Sequence, residues 1–120
     1  MGKRSRRRGA ADALSAPESD YRSPGGDVLV LRGAMTPATR QEYAAAAGGS
    51  PLSREDAWQR AVEFLFERLA VRWEFAGTDP ITKQKELLGR YRFATAGERQ
   101  WIRDVLREHL TEHFPELEAP

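Results

Sequence analysis

The chain contains no cysteine in 120 residues. That absence excludes a disulfide scaffold, a thiol nucleophile and every zinc site built on thiolate. It fits a reducing compartment, and the cytoplasm is the expected location. Long apolar runs are missing too: nothing approaches the ~20 consecutive apolar residues that a membrane-spanning helix needs. The arginine-rich start is not followed by an apolar signal region, because Gly9 to Tyr21 is small and acidic, so no secretory signal is expected. Gly2 does not open a myristoylation signal, since Arg6 stands where Ser or Thr is required. Lysine is scarce, 3 against 16 arginines, a balance that GC-rich bacterial genomes produce. Catalytic groupings are thin as well. Gly25-Gly26 precedes an apolar run instead of following one, as a phosphate loop would, and no serine has nucleophile-elbow flanks. The residues point to a non-enzymatic protein with no cofactor and no metal.

What is present is unevenly spread. All three tryptophans and all five phenylalanines lie between Leu52 and Phe114. After Met1, the stretch up to Asp27 offers only Leu14 and Tyr21 as sizeable apolar groups, too few to offset the entropy of ordering the chain. Residues 1–27 therefore read as a disordered, arginine-rich tail. Lys3, Arg4, Arg6, Arg7 and Arg8 place five positive charges in six positions. Without them the chain has 14 basic and 18 acidic residues, a net −4, although the whole carries +1.

Val28-Leu29-Val30-Leu31 is a branched apolar run bounded by glycines, the pattern of a short strand; no second strand is evident to pair with it. Thr36-Pro37 opens a short helix with an N-cap and a proline at the first helical position, and Gly48-Gly49 ends it. Residues 28–51 thus form a strand-plus-helix docking segment. Residues 52–120 read as a helical domain. Ser53, followed by Glu55 and Asp56, starts a long helix expected to run to Ala76 and stop at Gly77. Asp79-Pro80 begins a second that ends near Arg92. Thr95 and Glu98 have capping-box spacing and launch a third, which Pro115 terminates. The expected fold class is mainly α: a three-helix unit over about 53–114, with the upstream strand and helix docked on it or on a partner.

On the expected long helix, Trp58, Val62, Leu65, Phe66, Leu69 and Trp73 form one apolar face. Phe64, Val71 and Phe75 form a second stripe on the opposite side. A second stripe needs a second cover, so these three are the candidate partner-binding residues, and the partner is another protein or a second copy of the chain. The alternative is a DNA- or RNA-binding regulator. Arg99, Arg103 and Arg107 recur every four residues on one face of the third helix, and residues 79–107 carry seven basic against four acidic groups on two helices joined by a short turn. With Lys3, Arg4, Arg6, Arg7 and Arg8 they would contact phosphate. Against this, residues 53–120 hold 11 basic and 13 acidic side chains, unlike the clearly basic domain of most duplex binders. Glu63, Glu67 and Glu74 are the intramolecular partners the arginine stripe is expected to find instead. Finally, His109-Leu110-Thr111-Glu112-His113 matches the H-x-x-E-H spacing of a zinc helix. Only seven residues remain to supply a third ligand, so the pair reads as helix-end histidines favoured by the dipole.

Overall fold

The computed structural model describes residues 17–48 and 54–120. Strands β1 (Glu18–Arg22) and β2 (Val28–Arg32) come first, then helices α1 (Pro37–Gly48) and α2 (Arg54–Leu69). Strand β3 (Ala70–Glu74) and helices α3 (Gln84–Arg92) and α4 (Ala96–His113) complete the order. The strands form one antiparallel sheet in the order β1-β2-β3. The fold is therefore mixed α/β, four helices and a three-stranded sheet among the described residues, and the expectation of a mainly α three-helix unit is corrected.

Two local features account for the difference. Glu18–Arg22 lies inside the segment read as a disordered tail, yet it pairs with β2 from Glu18↔Arg32 to Arg22↔Val28. The connection is a tight turn: the Gly26 amide donates to the Ser23 carbonyl (2.9 Å) and the Ser23 amide to the Asp27 carbonyl (2.8 Å). Gly26 has φ +94°, the left-handed conformation that closes a three-residue hairpin loop. Lys3 to Arg8 lie outside the described residues.

The second feature is the length of the long helix. Helix α2 stops at Leu69, and β3 follows without a loop. Val71-Arg72-Trp73-Glu74-Phe75 alternates apolar and charged residues, which is strand periodicity. Tertiary pairing decides between the two periods: Trp73 pairs with Leu29 and Arg72 with Val30. Leu31 pairs with Ala70, which leaves Val71 as the extra residue of a β-bulge. Beyond β3, the Thr78 amide donates to the Phe75 carbonyl (3.2 Å) across Gly77, at φ +81°, a turn of type II geometry. The turn returns the chain so that Ile81 exchanges both backbone hydrogen bonds with Trp73. Asp79-Pro80 therefore sits in extended chain, and α3 starts only after Lys83.

The core lies between the inner face of the sheet and the helices. Leu29 and Leu31 from β2 and Trp73 from β3 meet Leu65, Phe66 and Leu69 of α2. Phe66 stacks on Tyr91 of α3 at 5.0 Å and meets Trp73 edge-on at 5.5 Å, both favoured aromatic geometries. Helix α4 contributes Ile102, Leu106 and Leu110. Its start is the expected capping box: the Glu98 amide donates to the Thr95 hydroxyl (3.1 Å) and the Thr95 amide to the Glu98 carboxylate (2.9 Å). After α4 the chain turns back along α1. Phe114 is fully buried, the Tyr43 hydroxyl donates to the Glu118 carbonyl, and Arg40 pairs with Glu116 at 3.0 Å.

Candidate functional site

The three residues expected to bind a partner do not form one stripe. Phe64 is on α2, whereas Val71 is the bulge of β3 and Phe75 follows that strand. Phe64 and Phe75 are half-buried against the core. The Arg68 guanidinium lies 5.0 Å from the Phe64 ring centre. Phe75 stacks beside Trp73 at 4.8 Å, and the Arg90 guanidinium covers both rings, 4.8 and 5.2 Å from their centres.

The arginine stripe of α4 is engaged within the molecule, although with other groups than expected. Arg99 donates to the Arg92 carbonyl at 2.8 Å and lies over the Tyr91 ring. Arg103 reaches Glu55 at 3.4 Å. Arg107 contacts Asp104 at 3.5 Å and donates through Nε to the Pro120 carbonyl at 2.9 Å. Of the acids proposed as their partners, Glu63 pairs with Arg92 and Glu74 with Arg72, while the carbonyl of Glu67 accepts from Gln84.

The histidine pair has a different role from the one its spacing suggested. His109 is fully buried. Its Nε2 lies 2.8 Å from the Arg32 carbonyl and its Nδ1 2.9 Å from the Tyr21 hydroxyl. A carbonyl can only accept, so Nε2 carries the proton, and in the neutral ring Nδ1 then accepts from the Tyr21 hydroxyl. Arg32 lies past the last β2–β3 pair, so the imidazole completes the ladder where the strand partner has ended. Burial pushes the His109 imidazole below its ordinary value; the neighbouring His113 adds to this, and the Arg32 carbonyl and Glu112 oppose it. That shift favours the neutral ring and runs against the expectation of a dipole-stabilised cation. His113 pairs with Ser19 at 3.1 Å, and the two imidazoles stand 4.5 Å apart. Tyr21 and Ser19 are two apart on β1, and the histidines are four apart on α4. The pair therefore clamps the edge strand to the helix. Among the described residues no group of three or more His, Asp and Glu side chains is arranged to hold a metal ion, and no helix is long and apolar enough to cross a membrane.

Two surface features remain, side by side. One is a groove of about 510 Å³ between the first half of α2 and the first half of α4. Val62 and Tyr91 are nearly buried beneath it, and Gln59, Ala96 and Gln100 also line it. Glu55, Asp56 and Glu63 supply three carboxylates, and Arg60, Arg99 and Arg103 three guanidiniums. The other is Phe93, in the turn from α3 to α4. It is 87% exposed, the one large hydrophobic side chain in that state among the described residues. Its surroundings are fixed: the Phe93 amide donates to the Gly89 and Arg90 carbonyls, and the preceding Arg92 is held by Glu63 through its side chain and by Arg99 through its carbonyl. Phe93 lies past the expected end of the second helix near Arg92 and belongs to none of the expected apolar faces. The signal was a large apolar residue placed two positions before the Thr95 cap, in the turn between two helices. Comparison of the chain with protein-family models, with curated proteins and with solved structures finds no match.

Proposed function

We propose that the chain is a non-enzymatic protein-interaction module that binds another polypeptide through the α3–α4 corner, with Phe93 as its anchor. The observation that carries this reading is the 87% exposure of Phe93 on a corner whose backbone and flanking arginines are pinned by hydrogen bonds. Buried aromatic anchors carry much of the free energy of protein interfaces. An anchor already held in place loses less conformational freedom on binding than one on a mobile loop. Burial of a phenylalanine is worth about 1.5–3 kcal/mol. The imidazoles, the side chains best suited to proton transfer near neutral pH, are engaged in clamping β1, which supports binding over catalysis. Phe64 and Phe75 serve the core on this reading, so the binding surface moves from the expected stripe to the corner.

The experiment is affinity capture from an extract of the producing cells, with the wild-type chain and Phe93→Asp, matched for far-ultraviolet circular dichroism. A polypeptide retained by the wild type and lost by the variant is the expected result. Equal capture by both, or none by either, contradicts the proposal.

A further inference from the structure

We infer that the polypeptide bound at this corner is a second copy of the chain, in a two-fold dimer where Phe93 of each protomer enters the α2–α4 groove of the other. The inference rests on the interaction reading above and names its partner.

Knob and groove belong to one patch of surface. Tyr91 and Ala96, which line the groove, flank Phe93 in the chain. Arg92 is bonded to Glu63 of one groove wall, and Arg99 of the other wall holds the Arg92 carbonyl. A patch that carries both a projection and a recess is self-complementary under two-fold rotation, and such a contact closes at two subunits without growing into a fibre. The groove has room for an aromatic ring, at about 510 Å³, above a floor in which Val62 and Tyr91 are 4% and 6% exposed.

The charges fit the same partner. The α2 wall presents Glu55, Asp56 and Glu63 against Arg60, whereas the α4 wall presents Arg99 and Arg103. One wall is net acidic and the other net basic, and the patch as a whole is neutral. A copy of itself is not repelled, and with unlike walls opposite each other the pairs Glu55–Arg103 and Glu63–Arg92, made within each protomer, can be exchanged for equivalent pairs across the two-fold. A nucleic acid would meet three carboxylates beside the arginines.

Sedimentation velocity of the full chain from about 1 μM to about 1 mM tests this. The wild type is expected to pass from monomer to dimer in that range. Phe93→Asp removes the knob, and Gln59→Trp, at an exposed position of α2 on the groove wall, fills the recess. Each is expected to weaken the dimer by about 10-fold or more with unchanged helicity. Mixed in equal amounts, the two variants are expected to associate more strongly than either alone, because the mixed pair keeps one intact knob and one open groove. A wild type that stays monomeric throughout overturns the inference, as does a dimer indifferent to Phe93→Asp or a mixture that gains nothing. A monomer that still captures a different protein through Phe93 overturns the second-copy partner alone. A monomer that captures nothing overturns the interaction reading with it.

Discussion

Replacing His109 with leucine removes one side chain that holds two strands to a helix. The variant keeps the apolar volume but leaves the Arg32 carbonyl and the Tyr21 hydroxyl without the partners they have at 2.8 and 2.9 Å. Tyr21 is half-exposed and can turn to water, so most of the loss falls on the carbonyl. Leaving this part-buried carbonyl without its partner costs about 1–3 kcal/mol, a sizeable part of the roughly 5–15 kcal/mol that holds a domain of this class together. The same residue sets a pH dependence. Its folded pKa lies below the ordinary 6.5, first because of burial. As pH falls through about 6.5, the unfolded chain takes up a proton that the folded chain refuses, so the wild type loses stability. The slope reaches at most about 1.4 kcal/mol per pH unit, until the folded pKa is reached. The leucine variant has no such proton. Urea unfolding followed by the fluorescence of the three tryptophans measures both proteins at pH 7.5 and pH 5. The variant is expected to be about 1–3 kcal/mol less stable at pH 7.5, and the gap is expected to narrow in acid. Equal stability at pH 7.5, or a gap that stays constant or widens as pH falls, refutes the clamp.

Further substitutions probe the rest of the fold. Thr95→Ala removes the hydroxyl that accepts from the Glu98 amide at 3.1 Å and is expected to lower stability by about 1 kcal/mol in the same urea assay. Gly33→Ala would set its Cβ 3.0 Å from both the Pro17 carbonyl oxygen and His113 Nδ1. It is expected to cost about 1–3 kcal/mol, read as a lower thermal midpoint. Phe66→Ala deletes the ring between Tyr91 and Trp73 and should cost about 3–5 kcal/mol, with a change in near-ultraviolet circular dichroism.

The parts of the fold legible from sequence are those whose signals are local. The Thr95–Glu98 capping box, the Thr36 cap (its hydroxyl accepts from the Thr39 amide at 3.1 Å) and the buried run Leu29–Leu31 all depend on a few neighbouring residues. Strand β1 was hidden because Glu-Ser-Asp-Tyr-Arg is an edge strand with a single large apolar residue; its stability comes from pairing with β2 and from two histidines about ninety residues away. Pro24-Gly25-Gly26 was the available clue, a turn signal directly before an apolar run. At the junction of α2 and β3, Leu69 and Trp73 satisfy helical and strand spacing at once, and only pairing with β2 separates the two. The recurrence of Arg99, Arg103 and Arg107 was plain, but their partners depend on where α2, α3 and the C-terminal segment lie. The groove was not legible, because it arises from the meeting of helices distant in sequence; Phe93 was legible only as an apolar residue in the turn before the Thr95 cap.

The most direct test of the account is a photoreactive phenylalanine analogue placed at position 93 and activated in the producing cells, with the same analogue at exposed Thr111 as control. The account predicts one discrete crosslinked polypeptide, formed from position 93 and not from position 111. No adduct at position 93, or equal yields of the same products from both sites, would contradict it.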